Sequence, residues 1–197
     1  MRPGAHRFAT VALGLILAAT PASAEEWLIG MDPQRTSVSF KLKATMHTVH
    51  GTAAASGSLR LNTKGGVMTG EVAIDATTAE TGNPKRDKKM HAKVLLTADN
   101  PRIVLRARRL EGDLALEGTS EVTLHGKMEI LGQSHEISIP LRIQINGGRF
   151  TAGTEFEIPY VEWGLDDPST FVLRVAKEVQ VMIEAEGTIV VTDETSR

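Results

Sequence analysis

The chain has 197 residues, a formal net charge of −2 and no cysteine. Without cysteine, neither a disulfide nor a thiolate metal site can form, so the fold must be stabilised by packing. The near balance of acidic and basic residues gives no indication of a nucleic-acid partner, and the length fits a single domain.

The first 24 residues have the layout of a secretory signal peptide. Basic residues precede an apolar run at 8–19, and small residues at 22–24 form a cleavage site, so we expect cleavage after Ala24. The run is shorter than the roughly twenty residues that span a bilayer. We therefore expect an exported domain at 25–191, followed by a frayed tail at 192–197.

Most of the remaining chain alternates apolar and polar residues, which is typical of half-buried β-strands. The clearest strand is predicted at 137–145, where Pro140 removes a backbone donor and predicts a bulge or a break in pairing. Asn146-Gly147-Gly148 predicts a tight hairpin leading into a strand at 150–158. Further strands are predicted at 37–43, 55–61, 71–75, 102–106, 114–116, 122–130 and 179–185. About eight to ten strands with short turns predict an all-β fold, an antiparallel barrel or sandwich.

One charged excursion interrupts this pattern between strands 71–75 and 102–106. Connections of that length are commonly lids or binding loops. A turn signal at 82–84 is followed by Met90, Val94 and Leu95 at helical spacing. A short helix or lid near 84–96 is therefore predicted over one end of the sheet; the alternative is a solvated charged loop.

Signatures of catalysis are sparse. The sequence contains no Gly-x-Ser-x-Gly elbow and no phosphate-binding glycine loop. His47 and His50, with His91 and Asp87 as potential partners, form the one metal constellation to weigh. Because residues three apart fall on opposite faces of a strand, surface histidines are favoured, and we expect no catalytic residue, no metal and no cofactor. A hydrolase or metal-dependent enzyme that uses His47, His50 and His91 remains the weakest alternative.

The apolar strand faces are aliphatic, and aromatic residues make up only 4% of the chain. An eight-stranded barrel is just wide enough to be filled by its own side chains, so a packed core is one interpretation. The scarcity of large rings favours the other, a lumen that holds one apolar ligand under a lid. The composition leaves both interpretations open.

Several motifs together resemble the YceI-like lipid- and polyisoprenoid-binding proteins. The most recognisable element is the segment 75–83, Asp-Ala-Thr-Thr-Ala-Glu-Thr-Gly-Asn, followed by Arg86-Asp87 and by Pro101 at the next strand. Asp32-Pro33 with 37–40, His50-Gly51 and 126–132 agree with the family in order. The similarity covers about 27–189.

The resemblance implies an extended, lipocalin-like antiparallel β-barrel of about eight strands in the bacterial periplasm. It implies binding or carriage of a long isoprenoid, such as a quinone tail, without catalysis. The partners would be a lipid ligand, a transient contact with a membrane surface and a potential homodimer. The alternative is a structural or interaction protein of the envelope, with a filled barrel and no lipid cargo.

Under the carrier hypothesis the tail lies along inward-facing residues of the strands. The predicted lumen residues are Phe40, Leu42, Val72, Ile74, Ile103, Leu105, Val122, Leu124, Ile139, Leu141, Ile143, Phe156, Val181 and Ile183. The predicted lid and mouth residues are Lys85, Arg86, Asp87, Lys88 and His91.

Overall fold

The computed structural model describes residues 25–193. The predicted signal peptide lies outside the described residues, as do residues 194–197 of the predicted tail, whereas Thr192 and Asp193 pair with the first strand. The elements are β1 (Glu25–Met31), β2 (Ser37–Lys43), β3 (Thr48–Asn62), β4 (Val67–Glu80), α1 (Pro84–Lys89) with a π-helical turn (Met90–Val94), β5 (Arg102–Glu111), β6 (Gly118–Ile130), β7 (Gln133–Asn146), β8 (Arg149–Ile158) and β9 (Val179–Asp193).

The sheet closes on itself into an antiparallel barrel, which confirms the predicted fold class. Strands β3 to β9 follow one another in order around the wall. β1 and β2 share the eighth position, one after the other, since each pairs with β3 on one side and β9 on the other. Closure pairs most strands on both sides, so most backbone donors and acceptors of the wall are satisfied within the sheet; the exception is β7, whose residues 133–141 pair with β6 but not with β8.

The strand predictions are largely confirmed. β2 spans the predicted 37–43, and the β7–β8 hairpin turns at Gly147 and Gly148, whose φ angles are 56° and 74°. Only a residue without a Cβ adopts such angles at little cost. The break predicted at Pro140 occurs on one side: Pro140 stays in register with β6, but the ladder with β8 ends at the Arg142–Gly153 pair.

One strand prediction is wrong, and one strand was not predicted. The segment 114–116 is not a strand but part of the β5–β6 loop, where Leu114 packs on the core and Ala115 donates its N–H to Ser120 Oγ. Three residues of alternation are too few to separate a strand from a loop with one inward side chain. Conversely, β1 was not predicted, because 25–31 does not alternate.

Within the described residues, no helix is long and apolar enough to cross a lipid bilayer.

The barrel interior divides into two halves. The half containing β1, called here the packed half, is filled by a cluster that includes Trp27, Leu61, Ile145 and Phe150. The half containing β2, called the open half, carries a second cluster around Met128 and the loop 159–178. Ile137 and Phe156 contact both clusters. The packed half therefore closes one end of the interior of the open half.

Candidate functional site

The open half encloses a cavity of about 450 Å³. Its wall consists of inner faces of β2, β3, β4, β5, β6, β8 and β9, and its roof of α1, the π-helical turn and the loop 159–178. All lining residues are apolar except five, namely His47, Thr81, Arg86, Lys89 and Tyr160. A cavity of this size and polarity is typical of a site for a small apolar ligand.

The predicted lumen residues are divided between the two halves. The structure places six on the cavity wall: Phe40, Leu42, Ile74, Ile103, Phe156 and Val181. Seven belong to the cluster of the packed half: Val72, Leu105, Val122, Leu124, Ile139, Leu141 and Ile143. Ile183 packs against the cluster of the open half without lining the cavity. Alternation identifies side chains that point inward, but it carries no information about the height at which the interior is empty.

Several lining residues were not predicted. Inward positions of β3 and β4 carry Ala53, Ala76 and Ala79, whose small side chains leave the space that larger residues fill in the other half. Ala53 and Ala76 were a readable signal, because alternation places both inward and small inward residues indicate room, whereas Ala79, three residues after Ala76, departs from the alternation. The roof residues Tyr160 and Leu165 lie in an irregular loop, where no periodic pattern marks them.

The lid, defined here as residues 84–94, begins with a capped helical turn. Asn83 Oδ1 accepts hydrogen bonds from the N–H groups of Lys85 and Arg86 at 3.1 and 3.2 Å. Pro84 occupies the first turn, where its missing N–H costs nothing. Asparagine at the cap and proline directly after it together fix where the lid starts.

Thr81 ties this lid to the end of β4. Its N–H donates to Asp87 Oδ1 at 3.0 Å, and its hydroxyl also donates to Asp87 Oδ1. Arg86 donates from Nε to Thr81 Oγ1 at 2.7 Å and from its terminal nitrogen to the Thr81 carbonyl at 2.9 Å. Every polar group of Thr81 is therefore held by two neighbouring residues of α1.

The predicted mouth residues take different positions. Arg86 lines the cavity, and Asp87 anchors the lid. Lys85 and Lys88 are exposed, while His91 is partly buried with Nδ1 3.3 Å from Thr97 Oγ1. Lys89 and His47 also line the cavity, and no carboxylate does so among the described residues. The charged side chains of the lining, Arg86 and Lys89, are therefore both basic.

The histidines do not converge. His47 lines the cavity, whereas His50 lies in a separate outer groove beside Lys41 and Glu80. Residues 25–193 contain no group of three histidine, aspartate or glutamate side chains placed to hold a metal ion.

The loop 159–178 is fastened at both ends of its path. Trp163 stacks on His135 at the start of β7, with ring centroids 4.3 Å apart and planes 3° from parallel. Further along, the Ala176 N–H donates to the Lys43 carbonyl at 2.8 Å, and Val175 forms a β-bridge with Ala44. The loop is thus a fixed part of the roof.

Tyr160 is buried beneath this loop and donates its hydroxyl to the Ala176 carbonyl at 2.8 Å. Burial raises the pKa of Tyr160 to about 12, and the nearby charge of Asp167 adds to the increase. Because the phenol is more easily ionised when the chain unfolds, the stability that it contributes is complete below pH 10 and is lost as pH rises towards 12.

Tyr160 is the single tyrosine of the chain, so tyrosinate absorbance reports on it alone. We expect the native protein to titrate near 12, or to unfold in that window, and the urea-unfolded protein to titrate near 10. Tyr160→Phe should lower the free energy of unfolding at neutral pH by about 1 kcal/mol, through loss of the hydrogen bond. It should also remove the loss of stability that ionisation of Tyr160 causes above pH 10. A native midpoint near 10 would contradict a buried phenol.

Comparison with known proteins found one family match and several structures with a similar fold. The model of the YceI-like domain matches residues 30–187. Burkholderia cenocepacia BcnA is 16% identical with a TM-score of 0.67, covering 80% of this chain and 99% of that chain. A polyisoprenoid binding domain from Saccharophagus degradans, implicated in plant cell wall breakdown, is 17% identical with a TM-score of 0.67, covering 81% and 97%.

The Campylobacter jejuni YCEI protein is 14% identical with a TM-score of 0.59, covering 73% of this chain and 86% of that chain. At these identities the structural likeness establishes a shared fold. The comparison with curated proteins found no match.

Proposed function

Because this chain belongs to the YceI-like domain family, we propose that it binds an isoprenoid or similar long-chain lipid in the cavity of the open half and carries it within the periplasm. The observation that carries the proposal is the cavity itself, about 450 Å³ of apolar space beneath a tethered lid. The polyisoprenoid binding domain from Saccharophagus degradans, which shares the fold, supports the same class of ligand. The periplasmic location rests on the predicted signal peptide.

The energetics of such a cavity suit a carrier. Burying a methylene group gains about 0.8 kcal/mol relative to water, so an apolar chain is held firmly against an aqueous reference. The competing environment, a membrane interior, is equally apolar, so the free energy of transferring the chain between cavity and membrane is close to zero. The polar groups at the mouth, Arg86, Lys89 and His47, therefore decide the direction of transfer. This function requires binding and release but no chemical step.

The cavity also limits the length of the chain that it can bury. The space of about 450 Å³ has room for only a limited number of carbon atoms. The packed half blocks extension at the other end. A longer tail would extend through the mouth.

Native mass spectrometry tests the proposal on protein exported to a bacterial periplasm, with extraction and identification of any lipid that it retains. Prenols of increasing length would then be added to cargo-free protein. We expect the affinity to rise with chain length until the buried part of the prenol fills the cavity and to level off beyond that length. A cargo-free mass that persists after incubation with prenol-loaded vesicles would refute the carrier function.

The alternative is a structural protein of the envelope with a filled barrel. Its central feature, an interior occupied by side chains, describes the packed half but not the open half. A transient contact of the basic lid with a membrane surface belongs to the carrier proposal. A homodimer is a separate expectation, which light scattering on the purified protein tests.

A further inference from the structure

Three large apolar side chains on two loops are left almost wholly in water. Among the described residues, Phe171 is 96% exposed, Met46 90% and Val172 84%, whereas the next most exposed large apolar side chains reach 54%. Met46 lies in the β2–β3 turn, and the other two lie in the loop 159–178. Exposure of this kind on a folded domain commonly marks a contact with a partner or a membrane.

The two loops form one unit. The N–H and hydroxyl of Thr45 donate to the Arg174 carbonyl at 2.9 and 3.1 Å, and the Arg174 N–H donates back to Thr45 Oγ1 at 2.9 Å. The bridge between Ala44 and Val175 continues this pairing. Met46, Phe171 and Val172, called here the apolar tip, are therefore carried by one hydrogen-bonded edge of the barrel.

The apolar tip adjoins the cavity. Ala44 and His47, on either side of Met46, line the cavity, as do Leu173 and Val175 just beyond Val172. The tip residues are therefore close in the chain to residues of the cavity wall. The lid, which also forms part of the roof, carries five basic residues and a single carboxylate, that of Asp87.

We propose that the apolar tip inserts into the outer layer of a lipid bilayer and places the cavity mouth against the membrane, so that cargo passes between bilayer and cavity without crossing water. This inference rests on the proposed carrier function and assigns it a docking surface. Interfacial binding of this type combines buried apolar side chains with attraction to anionic lipids.

The two contributions come from different elements. The loop 159–178 carries four carboxylates, at Glu162, Asp166, Asp167 and Glu178, against Arg174 and Lys177, so its own charge does not attract anionic headgroups. The electrostatic attraction is supplied by the lid, and the insertion by the apolar tip. A stable protein interface buries roughly 800 Å² on each partner, more than three side chains on two loops present, which favours a bilayer over a second protein.

The test compares partition onto vesicles of phosphatidylcholine and phosphatidylglycerol, measured by sedimentation of the full-length exported protein. The test variant combines Phe171→Ser with Val172→Ser, and the matched control is Leu116→Ser, an exposed apolar residue in the β5–β6 loop at the opposite end. We expect about tenfold weaker partition for the test variant and slower transfer of a fluorescent prenol between vesicles, with the control unchanged.

Salt separates the two contributions. The loss in the test variant should persist at high ionic strength because it is apolar. Charge reversal by Lys88→Glu with Lys89→Glu should slow exchange with anionic vesicles at low salt, and this effect should disappear at high salt because exposed charges are screened.

Several outcomes would overturn the docking surface: wild-type partition in the test variant, equal losses in test and control variants, or a wild-type dimer that the test variant converts to a monomer. A separate measurement of prenol affinity without vesicles distinguishes failure of the docking surface from failure of the carrier function. If the wild type binds no prenol, the carrier function fails. If both proteins bind prenol alike and partition alike, the docking surface alone fails. Unchanged thermal unfolding midpoints show that the variants are folded.

Discussion

Ala53→Phe is expected to weaken cargo binding severely while leaving the barrel folded. Ala53 lies on β3, opposite Val38 in the β2 ladder, and its side chain lines the cavity. A benzyl-sized group placed there occupies volume that the cargo needs, and each displaced methylene forfeits about 0.8 kcal/mol, so we expect the affinity for a prenol to fall about a hundredfold or more. Titration of the purified protein with a fluorescent prenol measures the loss.

The same substitution should not destabilise the fold. Overpacking is costly in a close-packed core, but the space beside Ala53 is empty, and filling a cavity commonly raises the free energy of unfolding. The matched control is Ile143→Val in the packed half, which should cost about 1 kcal/mol of unfolding free energy and leave prenol affinity unchanged. If Ala53→Phe binds prenol like the wild type, the cargo does not occupy this cavity.

The contrast between these two substitutions also marks what the sequence could and could not predict. Strict alternation in β7 and β8, together with a turn at Gly147 and Gly148, is a local property, because it depends on residues two positions apart. It therefore predicted the strands, the hairpin and the inward faces. Ile143 and Val181 both take inward positions in alternating strands, yet Ile143 is part of the packed half and Val181 lines the cavity.

The division into two halves is a non-local property. The two halves correspond to β1 and β2, which share one position in the wall, so that Trp27 pairs with Leu61 at one height and Phe40 with Gly51 at another. Gly51 is required there, since a Cβ would lie 2.2 Å from the Phe40 ring and 2.6 Å from the Glu80 carbonyl oxygen. The periodicity of one strand does not indicate which side chains of other strands pack against it.

Of the two parts of the roof, only the lid could be predicted from the sequence. The helical spacing of Met90 and Val94 predicted the lid, because that signal is local. The loop 159–178 has no such pattern, and its position depends on bonds between Thr45 and Arg174, 129 residues apart in the chain. Consequently the lid residues were predicted as candidates, whereas Tyr160, Leu165 and the apolar tip were not.

Asp87→Ala is expected to release the lid and with it the cargo. Asp87 accepts both the N–H and the hydroxyl of Thr81, and without the carboxylate these two donors lose their partner while Arg86 loses the arrangement that holds its guanidinium. Hydrogen bonds to a charged group contribute about 1.5 to 3 kcal/mol. That amount stabilises the closed lid locally rather than the barrel, whose ladders are independent of it.

We therefore expect amide hydrogen exchange in residues 84–94 to accelerate about tenfold or more, and prenol release to acceptor vesicles to accelerate by a similar factor. Asp87→Asn, which keeps one acceptor oxygen, should fall between the wild type and Asp87→Ala. Asp113→Ala, an exposed carboxylate in the β5–β6 loop, is the control and should change neither rate. Faster exchange in the lid with unchanged release would mean that cargo leaves by another path, because a gate that opens more often must pass more cargo.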